Sequence, residues 1–97
     1  MKPHRFHPGA IEEYEEAAKY YAAISSKLGW QFYDEIEHLI VQARRQPERF
    51  FRFSPPAQRV LARKFPYSVV YLNEADSIWI VAVMHAKRRP GYWRVRL

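Results

Sequence analysis

Seven consecutive apolar residues, Ile78 to Met84, form an unbroken run rich in β-branched side chains, bounded by Asp76 and Ser77 before and His85 after. Branching at Cβ favours the pleated backbone, and a strand with no polar face must be covered on both sides. The run therefore predicts a central strand, and the rest of the chain has to supply its covers. By the period-two rule, Ile78, Ile80, Ala82 and Met84 share one face, and Trp79, Val81, Val83 and His85 the other. Directly afterwards the chain turns cationic and aromatic, with His85, Lys87, Arg88, Arg89, Tyr92 and Trp93 close together. A buried strand ending in such a cluster holds charge in a fixed place.

The preceding segments read in order as its supports. Lys2 to Phe6 is extended and suits an edge strand, because Pro3 cannot donate to a ladder. His7-Pro8 opens a helix, where the missing proline N–H is harmless. Ala10, Ile11, Tyr14, Ala17, Ala18, Tyr21 and Ile24 give it one apolar face, leaving Glu12, Glu13, Glu15 and Glu16 to water. Ser25-Ser26 breaks this helix and caps a second. Its stripe is Leu28, Phe32, Ile36, Leu39, Ile40 and Ala43, weakened at Gly29 and stopped by Pro47. PERFFRFSPP, residues 47 to 56, reads as an aromatic loop with at least one phenylalanine pinned under the helices.

Three further strands follow: Ala57 to Lys64, Tyr67 to Leu72, and Ile78 to His85, the last two joined by the NEADS turn. Arg59, Leu61 and Arg63 fall on one side of the first, Val60 and Ala62 on the other. Pro90-Gly91 ends the pattern. The order is β-α-α-β-β-β, an α+β fold in which a helical hairpin covers one face of a mainly antiparallel four-stranded sheet. The other apolar face is left for the aromatic loop, the tail or another chain.

Ninety-seven residues make one domain, 1–97, burying roughly 60 to 70 per cent of its unfolded surface. With no cysteine, disulfides and thiolate metal sites are excluded. Neither a signal peptide nor a membrane-spanning apolar stretch is present, so the expectation is a soluble, cytoplasmic protein. The net charge of +6 is unevenly placed. Residues 1 to 43 hold four basic and seven acidic side chains, whereas residues 44 to 97 hold twelve basic and three acidic. That asymmetry points to an acidic partner for the C-terminal half, nucleic acid or an acidic protein segment.

Four pieces, FHPGAIEEYEEAAKYY, ISSKLGWQFYDEIEHLI, QPERFFRF with RVLARKFPYSVVY, and IWIVAVMHAKRRPGYW, together resemble the RelE/ParE superfamily of toxins from bacterial type II toxin–antitoxin systems. The FPYSVVY and HAKRRPGYW segments are more similar to its ParE-like, plasmid-stabilisation branch. The resemblance implies a toxin that poisons DNA gyrase and is silenced by a cognate antitoxin with a flexible acidic C-terminal segment. It leaves open a RelE-like ribosome-dependent mRNA endonuclease, and a degenerate non-toxic binding module. A hetero-oligomer with the antitoxin, or a dimer, is compatible with each.

Metal-free RNA cleavage needs a base for the 2′-hydroxyl, cations for the phosphorane and a proton donor to the leaving oxygen. His85 as base, Arg63 with Arg88 or Arg89 as cations, and Tyr92 as donor are the candidates. In the alternative reading Arg59, Arg63, Lys64, His85, Lys87, Arg88, Arg89, Tyr92 and Trp93 form a binding surface for target or antitoxin. His4, His7, His38 and His85 lack ligand spacing, so no metal is expected, and no cofactor motif occurs. Tyr14, Tyr20, Tyr21, Trp30 and Tyr33 recur at helical spacing, as core or dimer surface.

Overall fold

A computed structural model describes residues 1–97. The chain runs β1 (His4–Phe6), α1 (Pro8–Ile24), α2 (Ser26–Arg45), β2 (Phe51–Ser54), β3 (Ala57–Leu61), β4 (Tyr67–Asn73), β5 (Ile78–His85) and a C-terminal 3-10 turn (Tyr92–Arg96). The five strands lie in the order β1-β5-β4-β3-β2, with β1 parallel to β5 and the other pairs antiparallel. The α+β fold with a helical hairpin is as expected; the strand count is not. Part of the aromatic loop pairs with β3 as a fifth strand, between Phe51 and Ser54, while Phe50 packs under the helices. Four residues closed by Pro55-Pro56 are too few to show a period.

Local chemistry fixes the helix ends. His7 is the cap of α1, its Nδ1 accepting from the Gly9 N–H at 2.9 Å, and Pro8 follows at the first helical position. Ser25 closes α1 through its backbone N–H and opens α2 through its hydroxyl, which accepts from Leu28 at 3.0 Å. One residue thus sets the hairpin turn. Gly29, expected to weaken α2, is buried where the helices touch: a Cβ there would lie 2.8 Å from the Ala22 Cβ. Glycine here permits the close approach. Ile11 and Ile24, assigned to the apolar face of α1, are exposed, because that face turns toward β5 through Ala10 and Ala17.

The hairpin lies on one sheet face, where Phe32, Ile36, Leu39 and Ile40 of α2 meet Val60, Val69, Tyr71, Ile78, Ile80 and Val83. This last residue corrects the expected alternation in β5. Val70 pairs with Ala82 but Tyr71 pairs with Ile80, so Val81 is an extra residue, a bulge. Val81 and Ala82 both face away from the helices, and Val83 and His85 return to the helix side with Ile78 and Ile80.

The bulge also leaves backbone groups to satisfy. β1 pairs with β5 only as far as Ile80, whose carbonyl accepts from His7 at 2.8 Å. Beyond that point side chains replace the missing strand. Glu13 accepts from the Val83 N–H at 3.0 Å, and Arg96 donates to the Val81 carbonyl at 3.0 Å. The two are joined to each other by paired bonds of 3.1 and 3.0 Å. Their side chains are only 12% and 16% exposed, so Glu13 does not face water as its neighbours do.

The second sheet face is closed by the tail. Trp93, fully buried, covers Ala57, Val70, Val81, Ala82 and Met84, with Phe53, Leu72, Trp79 and Tyr92 around it. Gly91 turns the chain into this cover at φ 74°, a left-handed conformation that suits glycine. Of the three covers the sequence left open, the tail provides this one.

Two tests follow from this packing. Glu13→Ala strands an N–H and a guanidinium at once and is expected to destabilise by about 2 to 4 kcal/mol. Arg96→Ala should cost a similar amount and the double variant clearly less than the sum, measured by urea unfolding. The Tyr71 hydroxyl, buried and bonded to the Pro47 carbonyl at 2.6 Å, has its pKa pushed up to about 12, first by burial. Above pH 10 the unfolded chain loses this proton while the folded chain keeps it, so stability should fall between pH 10 and about 12. Tyr71→Phe should make that decline shallower.

Candidate functional site

Three segments meet at one end of the sheet. Tyr67, at the start of β4, pairs with His85, at the end of β5, and the two rings meet edge-on at 5.0 Å. The Ala86 N–H donates to the Pro66 carbonyl at 2.8 Å, tying the turn after β5 to the loop before β4. Arg63 and Lys64 therefore stand on one side of β4 and Lys87, Arg88 and Arg89 on the other, all exposed. Five cations that are 23 or more residues apart in sequence between the two groups share one rim.

Glu35 of α2 enters this rim without neutralising it. Its carboxylate accepts from the backbone N–H of Arg63 and, at 3.2 Å, from that of Lys64, which holds the loop down on the helix. Neither cation's side chain is ion-paired, since the only ion pairs are Arg5 with Glu74 and Arg88 and Arg96 with Glu13. The rim continues into a groove of about 550 Å³ between α2 and the β2–β3 edge. Leu39, Phe50, Phe51, Val60 and Leu61 supply its apolar lining, and Arg49, Arg59, Arg63 and Lys64 its positive charge. Phe51 and Leu61 are exposed, and β2 offers an unpaired strand edge.

On the other flank, His85 and Arg88 line a smaller pocket of about 290 Å³ with Glu13, Glu16, Tyr20 and Tyr67. The expected catalytic set does not assemble there. The His85 Nδ1 accepts from the Lys87 N–H at 3.0 Å, which in the neutral ring leaves the proton on Nε2 and no free lone pair for a base. Arg63 lines the large groove and Arg88 the small pocket, so they do not converge on one phosphate. Arg88 instead lies 3.8 Å over the Tyr92 ring and 3.9 Å from Glu13.

Tyr92 and Trp93 correct the expectation most directly. The Tyr92 hydroxyl is buried, turned toward Glu13. Burial first, then the nearby Glu13 carboxylate, pushes its pKa above the ordinary tyrosine range. A phenol so placed cannot reach a leaving oxygen. Trp93 is a core residue of the second face, not a contact surface. Arg59 sits 4.5 Å over the Phe53 ring, with its Nε buried and unpartnered, so it is half packing and half rim.

Sequence reasoning passed over Glu13, Glu35, Arg49 and Arg96. Glu13 and Glu35 are one acidic residue among several on amphipathic helices, and Arg49 is one cation in a loop. Arg96 acquires its role only through the bulge 15 residues away. No group of three His, Asp or Glu side chains gathers as metal ligands, and no helix is long and apolar enough to cross a membrane.

The comparisons with known proteins bear on this arrangement. No curated protein matches the sequence. A solved structure described as a chromosomal ParDE toxin–antitoxin system from P. aeruginosa contains a chain with the same fold, at TM-score 0.76 and 10% identity. The match covers 90% of this chain and 98% of that one. Residues 4–90 match the family model of the ParE toxin of the type II toxin–antitoxin system parDE. With nearly the whole chain matched, from β1 through the cationic turn after β5, this protein belongs to the ParE toxin family.

Proposed function

We propose that this ParE-family protein acts on DNA gyrase, in the cytoplasm, without nucleolytic chemistry, and that an antitoxin neutralises it by laying an acidic flexible segment along the cationic rim and its groove. The observation that carries the non-nucleolytic reading is the burial of the Tyr92 phenol under the Arg88 guanidinium. General acid catalysis needs a proton that can reach the substrate, and this one has no path. The rim supports the binding half of the reading. Arg59, Arg63, Lys64, His85, Lys87, Arg88 and Arg89 are the contact residues in this reading, and Tyr92 and Trp93 hold the surface from behind.

An acidic peptide suits the large groove for two further reasons. Its apolar lining can take the hydrophobic side of an amphipathic segment while Arg49, Arg63 and Lys64 face the carboxylates. The open β2 edge can accept an added strand. Coupled folding over such a surface offsets the entropy of ordering the segment.

Purified protein incubated with DNA gyrase and supercoiled plasmid should accumulate gyrase-linked DNA breaks, while a translation reaction read by primer extension shows no new RNA ends. Codon-periodic cuts that vanish on His85→Ala would instead establish the ribosome-dependent endonuclease, and unimpaired growth on expression alone a non-toxic module. Tyr92→Phe removes only a buried hydroxyl beside Glu13, so it should retain toxicity and shift stability by no more than about 1 kcal/mol. Loss of toxicity in that variant with an unchanged melting curve would contradict the assignment of Tyr92 to packing.

A further inference from the structure

The helical hairpin carries a second surface, on the side away from the sheet, that neither the rim nor the groove involves. Ala18 and Ala22 of α1 and Ser26 and Gly29 of α2 form a shallow hollow of about 330 Å³, bordered by Trp30 and Tyr33. Small side chains and the close contact at Gly29 keep its floor low. Trp30, 67% exposed, stands at its edge. Its ring meets Tyr33 edge-on at 6.0 Å; Tyr33 stacks on Tyr14 at 6.0 Å, and the Tyr14 hydroxyl donates to Glu37 at 2.8 Å. A large aromatic backed by a fixed ladder of rings, next to a hollow of small residues, is both halves of one contact.

The charges around it decide the occupant. Toward the turn at Ser25 the exposed charged side chains are Lys19 and Lys27; away from it they are Glu12, Glu15 and Asp34, with the Glu37 carboxylate held by Tyr14. Lys27, Trp30 and Asp34 share one stripe of α2 at steps of three and four, and Glu15, Lys19 and Ala22 share one stripe of α1. Glu15, Lys19, Lys27 and Asp34 form no ion pair within the chain. The face is polarised along the hairpin, basic at the turn end and acidic at the other, in a chain of net charge +6. A face that is basic at one end and acidic at the other is complementary to itself when inverted, which favours a second copy over a partner of one sign.

We infer that this face is an isologous interface for a second copy of this chain, with the hairpins antiparallel across a two-fold axis. In that arrangement Trp30 of each copy enters the Ala18–Ala22–Gly29 hollow of the other. Lys27 of one copy meets Asp34 of the other and Lys19 meets Glu15, each pair occurring twice by symmetry. The tryptophan is the anchor, and the charges form a rim that sets register. The inference is independent of the toxin's target, because the groove and the cationic rim lie on other surfaces and stay open in the dimer.

Sedimentation equilibrium of the full chain over a dilution series tests it. A monomer–dimer equilibrium is expected, weakened about 100-fold or more by Trp30→Glu. Lys27→Glu and Asp34→Lys should each weaken it about five- to tenfold, and the variant carrying both should return to within about twofold of the parent. Recovery requires that residues 27 and 34 meet across the two-fold, and since both are exposed these variants should fold. A chain that stays monomeric at every concentration overturns the inference. So does a dimer indifferent to Trp30→Glu, a double reversal whose losses add, or a monomer that buries Trp30 only on binding a different protein.

Discussion

The ion pair between Glu13 and Arg96 closes the one gap that the sheet cannot close for itself. β5 is the central apolar strand, yet its neighbour β1 is three residues long and stops at Ile80. From Val81 onward the outer edge of β5 would expose backbone groups inside an otherwise apolar layer, where an unmet N–H or carbonyl is expensive. A carboxylate from α1 and a guanidinium from the tail take those positions and neutralise each other. Charged groups are tolerated there because the carboxylate and the guanidinium bond to each other and to the backbone groups they face.

That arrangement links three parts of the molecule that have separate roles. Arg96 can reach Val81 only if the tail lies across the second sheet face, and the tail lies there because Trp93 is buried on it. Arg96 also occupies the space beside Gly9, where a Cβ would come within 2.6 Å of its guanidinium carbon. The start of α1, the bulge in β5 and the end of the chain are therefore fixed together. Arg88 and Tyr92 are drawn into the same cluster through Glu13. Both are thereby tied to α1 as well as to the tail.

The fold also separates charge. The acidic first half becomes the hairpin, and the basic second half becomes the sheet, its turns and its tail. The cations of the 63–64 and 87–89 segments meet because antiparallel pairing places the start of β4 between them. Apart from Arg88, which pairs with Glu13, the cations of this rim form no ion pair, so their positive charge remains available to a partner.

Much of this was readable from residue types and their order. The apolar run from Ile78 to Met84 required a central strand covered twice, Pro8 and Ser25 marked helix starts, and the FPYSVVY and HAKRRPGYW segments pointed to the family. These features are local, and local sterics and hydrogen bonding determine them. Tertiary structure alone decided the rest. A one-residue bulge moved Val83 and His85 to the opposite face, four residues of an aromatic loop became a strand, and the tail turned Tyr92 and Trp93 inward. Each of those outcomes depends on which distant group satisfies a backbone bond or fills a space, and no spacing along the chain encodes that.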